Sequence, residues 1–478
     1  MAVLDTSIPI FNYFEEIAKI PHGSYNEQRI ADYIESVARE HNLRCFRDEM
    51  NNVIVYKDAS HGYESHVPLM LQAHIDMVNE KNNDCQHDFE NDPLDLYIED
   101  GFLHANGTTL GADDGYGVCY MLAILTDDSL KHPPLECVFT VQEEVGLFGA
   151  FGVDETQLSA KRMIGLDSET EGETCTSSSG GNDLMITKQI TGEDNDSPVY
   201  VLEVRGLLGG HSGECIDKGR GNANKIAARV LYHFLKEGMD IRLIDITGGL
   251  KNNAIPRECE AEILIPAENT QIVCEYVKEL NEILKKELVE TDPGVQVLIE
   301  EQGNAEAEIL DYHSVSRVIF YLRNVPNGIQ HMSQLLNGQV ETSLNLGILE
   351  LKEDALTSLT SIRSSVKTRK EDLCARVTML VEMLGGEAEV EGDYPAWEYR
   401  TDSALRPQVE KVYEELFHKK PVFSTIHAGL ECGLLSEKIP DLDCVSFGPD
   451  NFDIHTPKEH LSISSTARVW DFLVAFLQ

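Results

Sequence analysis

The chain alternates between two hydrophobic periods. In "NEQRIADYIESVAREHNL" (26–43) apolar residues return every three to four positions, which predicts an amphipathic helix. The runs "NNVIVY", "PLMLQA", "CVFTVQ" and "MIGLD" are short and almost continuously apolar, which predicts strands buried on both faces. A further helix, "GYGVCYMLAILTDD" (115–128), separates the second run from the third. Buried strands alternating with helices predict an α/β core, and ligands in such sheets gather beyond the carboxyl ends of the strands.

The texture changes at "TSSSGGND" (176–183) and "TGEDNDSP" (191–198), where small and polar residues mark a crossing between domains. A second alternation begins at Val199: strand "VYVLEVRG", helix "NANKIAARVLYHFLKE", strand "CEAEILIP" and helix "TQIVCEYVKELNEILKKEL". Strands "TSLNLGILEL" and "LTSLTSIRSS" and helix "DLCARVTMLVEML" follow. Two helices laid on a small sheet predict an inserted α+β domain over 188–393. The flanking stretches, 1–187 and 394–478, then form one discontinuous domain.

Composition supports this division and narrows the partners. A chain of 478 residues exceeds what one hydrophobic core usually serves, so two domains are expected. A net charge of -43 repels nucleic acid and anionic membranes, which argues against either as a partner. The 11 cysteines are odd in number and form no CxxC pair, the pattern of free thiols in a reducing compartment. The N-terminal stretch carries Asp5, Glu15 and Glu16 and has no basic leader, and no apolar run approaches the roughly 18 residues of a membrane span. A cytoplasmic location is expected.

Candidate chemistry lies at the predicted strand ends. In "LMLQAHIDMV", His74 and Asp76 are two apart on a strand and share a face, so the carboxylate can orient a metal-binding imidazole. Taken alone, the pair reads first as a structural histidine near the strand end. "GTTLGADDGYG" sets Asp113 and Asp114 in a glycine-rich turn, as simple turn chemistry or as ligands reaching a cation with little steric hindrance. "TVQEEVGLFGA" places Glu143 and Glu144 where a strand stops, and adjacent extended side chains point apart, so the two cannot share one task. Asp167 follows "MIGL", and His455 lies in the loop after "DCVSF". Imidazoles and carboxylates without cysteine suit zinc, cobalt or manganese in a hydrolytic site.

The set "LQAHIDMV", "GTTLGADDG", "QEEVGLFGA", "LDSE", "GGHSG", "NNAIPRE", "HAGLECG" and "IHTPKE" resembles the co-catalytic zinc peptidases that include carnosinases, tripeptidases and aminoacylases. Within them it is most similar to the bacterial aminoacyl-histidine dipeptidases, over almost the whole chain. One departure is that wider relatives carry a lysine shortly after the aspartate pair, where this chain reads "DDGYG".

The resemblance implies a catalytic domain with a mixed central sheet flanked by helices, and an inserted α+β lid domain through which a homodimer forms. It implies two zinc ions, with cobalt or manganese as substitutes. His74 and Asp167 would hold one ion, Glu144 and His455 the other, and Asp113 would bridge them, with the Asp113–Asp114 peptide bond that follows it cis. Asp76 would orient His74, and Glu143 would be the general base. His211 of "GGHSG", otherwise an exposed turn histidine, would stabilise the oxyanion from its own or the partner subunit. Asn253 and Arg363 would grip the substrate's terminal carboxylate, although Arg363 also reads as a strand-surface charge, and Gly429 would offer backbone contacts. The implied activity is hydrolysis of unblocked dipeptides, including Xaa-His such as β-alanyl-histidine. A tripeptidase, an N-acyl amino acid hydrolase and a non-catalytic binding protein are the alternatives.

Overall fold

The computed structural model describes residues 2–190, 192–195, 198–304, 307–352 and 355–478; residues 191, 196 and 197 of the tract at the predicted crossing lie outside these. The chain divides into two compact units. One comprises Met1–Ser178, Tyr399–Thr425 and Leu430–Gln478; the other comprises Ser179–Glu398 and Ile426–Gly429.

The first unit is built on an eight-stranded mixed sheet. Its order is Arg44–Arg47, Val53–Lys57, Leu135–Thr140, Leu69–His74, Arg162–Gly165, Asp443–Ser446, Glu173–Ser178 and Val422–Ile426. Four neighbours, Leu135–Thr140, Leu69–His74, Arg162–Gly165 and Asp443–Ser446, run parallel, and antiparallel strands flank them. Every residue of Leu69–His74 and Leu135–Thr140 is buried, which is why these strands read as continuous apolar runs.

Helices close the faces. Gln28–Glu40 buries Ile30, Ala31, Ile34, Val37 and Ala38, one stripe at helical spacing. Helix Ala112–Thr126 is buried from Ala112 through Leu125, so its sequence shows little amphipathic pattern. A small antiparallel sheet, ordered Asn451–Phe452, His460–Ser462, Phe102–Ala105 and Leu96–Glu99, lies in the same unit.

The second unit carries an antiparallel sheet, nine-stranded among the described residues, with helices Ala223–Lys236, Thr270–Glu287, Tyr312–Asn324 and Lys367–Met383. It is wider than the small sheet expected from the sequence. Arg242–Gly248, Gln296–Asn304 and Glu387–Tyr394 belong to it, and the helix Tyr312–Asn324 adds to the three helices read from the sequence. The strand Gly180–Gln189 pairs along its whole length with Ala355–Ser364. That ladder draws the chain into the second unit at Ser179, ahead of the expected bound at 188. At the far side Glu387–Tyr394 pairs with the same strand, and the unit continues to Glu398, beyond 393.

Candidate active site

Because the four central strands run in one direction, their carboxyl ends share one edge of the sheet. His74 is the last residue of its strand, Glu143 and Glu144 follow Thr140, and Asp167 follows Gly165. His455 lies in the segment after Ser446. Asp113 comes from the turn that opens helix Ala112–Thr126, where the Asp113–Asp114 bond is cis. Glycine shapes this turn: Gly111 has φ of +65°, and a Cβ on it would come within 2.8 Å of the Met77 sulfur. A Cβ on Gly117 would collide with the Asp114 carboxylate, to which the Gly117 amide donates at 3.2 Å.

Asp113 stands between the two histidines. Its Oδ1 lies 3.1 Å from His74 Nε2, and its Oδ2 lies 3.2 Å from His455 Nε2. The same His455 nitrogen lies 2.9 Å from Glu144 Oε2. His74 turns its other nitrogen, Nδ1, to the backbone carbonyl of Asp76 at 3.0 Å, with the Asp76 carboxylate 3.6 Å away. That carboxylate accepts the amides of Glu143 at 3.0 Å and Glu144 at 3.3 Å and the Ser24 hydroxyl at 2.8 Å.

The electrostatics are those of acids crowded out of water. Burial opposes a charge on His74, but its contacts with Asp113 and Asp76 outweigh this and hold the ring well above its ordinary pKa. Burial likewise disfavours charge on His455, yet Asp113 and Glu144 lift it to about 11. Desolvation, with the nearby Asp113 charge adding to it, raises Asp167 to about 7. Glu143 is pushed well above the usual carboxylate range by desolvation and, against the pull of His74, by Asp167, Glu144 and Glu431. Desolvation and the Asp167 charge do the same to Asp114.

This donor set fits divalent cations. Ligand atoms of His74, Asp113 and Glu144 lie within 4.8 Å of one another. Asp113 offers a separate oxygen on each side, as a carboxylate shared by two ions would, and oxygen and imidazole nitrogen suit zinc, cobalt or manganese. Positive charge there would offset the desolvation and the acid–acid repulsion that together raise Glu143, Glu144 and Asp167.

The remaining candidates belong to the second unit. His211 lies opposite Ala254 in a two-residue ladder, and the Ser212 amide donates to the Asn253 carbonyl at 2.8 Å. Asn253 itself is exposed. Arg363 is buried opposite Ser343; its Nη1 donates to the Tyr394 hydroxyl at 3.0 Å, while its Nε is buried without a hydrogen-bond partner. Gly429 ends the short segment Ile426–Gly429.

Three further residues carry no assignment from the sequence. His427 places Nε2 2.7 Å from the Ser343 hydroxyl, and burial, with Arg363 and His211 adding to it, lowers its pKa to about 3. Ser343 is the second. The third is Glu431, 1% exposed, whose Oε2 accepts from Gln72 at 2.5 Å and Thr140 at 2.6 Å. His427 and Glu431 both fall inside the motif "HAGLECG", which was the available signal.

Residues 70–478 match the model of peptidase family M20/M25/M40. The chain belongs to that family. It is therefore a hydrolase of a metal-dependent peptidase family. Among M20 proteins, it is 38% identical over 472 residues to the cytosol non-specific dipeptidase of Escherichia coli K12, covering 98% of this chain and 97% of that one. The structure of an aminoacylhistidine dipeptidase from Vibrio alginolyticus matches at a TM-score of 0.91 and 38% identity, over 98% of this chain and 96% of that one. Aminopeptidase PepT from Bacillus cereus matches at 0.57 and 15% identity, over 99% of this chain and 98% of that one, a likeness of fold alone.

Proposed function

We propose that this M20 hydrolase cleaves unblocked dipeptides, Xaa-His such as β-alanyl-histidine among them, with a pair of divalent ions, zinc first. The observation that carries this reading is the Asp113 carboxylate, which turns one oxygen to His74 and the other to His455. His74 and Asp167 would hold one ion and Glu144 and His455 the other. The dipeptide class is supported by 38% identity, over 98% of the chain, to a relative named as a dipeptidase.

Divalent ions there supply Lewis acidity toward the scissile carbonyl and make the attacking water more acidic. Glu143 takes the proton that this water loses and passes it to the departing amine, so one carboxylate serves as base and then as acid. Its raised proton affinity suits the task. Asp76 keeps the backbone of Glu143 and Glu144 in place through both of its oxygens. In the second unit, His211 donates to the oxyanion, in its own or a partner subunit. Arg363 and Asn253 bind the terminal carboxylate, and Gly429 contacts the substrate backbone. A homodimer formed through the second unit and a cytoplasmic location complete the proposal; no helix among the described residues is long and apolar enough to cross a membrane.

The test is a cleavage panel of β-alanyl-histidine, a tripeptide and an N-acetyl amino acid, run with metal content per chain. Preference for the dipeptide with two ions bound is expected. Preference for the tripeptide or the acetylated substrate would replace the dipeptidase reading, and absence of turnover in the metal-loaded protein would point to a binding protein.

A further inference from the structure

Glu459 is 3% exposed and four residues beyond His455. Its carboxylate accepts four consecutive backbone amides of the turn that carries Asp113. Oε2 receives Leu110 at 2.7 Å and Gly111 at 3.0 Å; Oε1 receives Ala112 at 2.9 Å and Asp113 at 3.3 Å. Asn451 adds a longer contact to Oε1 at 3.4 Å. These amides belong to the turn that leads into helix Ala112–Thr126, whose backbone is non-helical at Asp113 and Asp114, so the regular helix begins beyond them and they need partners from elsewhere. One side chain from a sequence-distant loop satisfies the four amides together.

The same contact joins two of the proposed metal ligands. Asp113 is the last of the four amide donors, and His455 lies on the loop that Glu459 ends. Its next strand, His460–Ser462, pairs with Phe102–Ala105, which leads back into the Asp113 turn. Resting on the metal-site reading above, we propose that Glu459 is a positioning residue that fixes Asp113 relative to His455, so that the carboxylate meets both histidines before any ion binds.

Glu459→Gln keeps the length but turns an NH2 group toward two amide donors. Cobalt(II) alone is the probe, added to the metal-free wild-type and variant proteins. The variant is expected to fold by circular dichroism, to bind cobalt roughly 10- to 100-fold more weakly and to show altered visible absorption bands, as loss of a supporting contact does at metal sites. A residue that only stabilised the fold would lower the melting temperature and leave the bands of the loaded protein unchanged. Wild-type affinity and bands in the variant would overturn the inference while leaving the metal site standing; no cobalt binding by the wild type would overturn both. Hydrogen exchange of amides 110–113 in the metal-free wild type needs no variant. Protection there is expected, and exchange at the rate of an open loop would refute the preset geometry.

Discussion

The backbone amide of Glu143 donates to the Asp76 carboxylate at 3.0 Å. The Glu144 amide reaches the other oxygen of that group at 3.3 Å, so one buried acid ties down the proposed base and a proposed ligand together. Asp76 meets His74 mainly through its backbone carbonyl, which a side-chain substitution leaves in place. Asp76→Ala is therefore expected to disturb the Glu143–Glu144 turn more than the His74 ring. Activity should fall roughly 10- to 100-fold. Turnover and metal content measured side by side check this, and unchanged turnover would refute it.

The described hydrogen bonds of Glu143 run through its backbone: its amide donates to Asp76 at 3.0 Å, and its carbonyl accepts from Leu147 at 2.9 Å and Gly146 at 3.0 Å. Removing the carboxylate should therefore spare the metal site and the fold. Glu143→Ala is expected to retain metal and to lose about 10²- to 10⁴-fold in kcat, the usual worth of a positioned base. Elemental analysis and steady-state kinetics read the two quantities separately. Wild-type turnover in the variant would assign the proton transfer to another group.

Arg363 is buried with its Nε unsatisfied, and a buried donor left without a partner costs free energy until a ligand fills it. His427, kept neutral beside it, adds no competing charge. An arginine fork suits a carboxylate. Arg363→Ala should raise KM for a free dipeptide by roughly 10- to 100-fold, the loss of one charge-assisted contact. A C-terminally amidated dipeptide, lacking the carboxylate, should show no such change. Equal losses on both substrates would place the effect in the fold of the second unit.

The central strands could be read from the sequence because burial on both faces leaves no alternation to interpret, as in Leu69–His74. The acids at their ends stood out against those apolar runs. The second sheet was harder to see. Its edge strand Glu387–Tyr394 is mostly exposed and rich in acids, so it lacks an apolar face. Gly180 and Gly181 read as part of a crossing between domains, yet they begin a strand whose surroundings are so close that a Cβ on Gly180 would meet the Ala396 amide at 2.5 Å. Glu431 and Glu459 lie inside quoted motifs, "HAGLECG" and "IHTPKE", yet their burial does not show in the sequence. Each is buried by partners hundreds of positions away, and an acid in a chain of 82 acidic residues carries no local mark of burial.

Glu431 supplies a pH signature. It bridges the strand of His74 to the strand leading to Glu143 through Gln72 and Thr140, and its Oε1 is buried without a partner. Burial, against the pull of His74 and Thr140, raises its pKa from 4.5 to about 8, with Asp76 and Asp167 adding to the rise. A folded-state pKa above the unfolded value means that the neutral acid favours the fold. That contribution is complete below the unfolded pKa and is lost as pH climbs through about 8, with a slope of up to about 1.4 kcal/mol per pH unit. Glu431→Gln keeps an oxygen for Gln72 and Thr140 and cannot ionise. In metal-free protein, its melting temperature should therefore match or trail the wild type at about pH 5, gain on it up to about pH 8 and level off above that. Thermal scans across that range, with chelator present throughout, give the comparison directly. A difference between the two proteins that stayed constant with pH would mean that Glu431 does not titrate in this window.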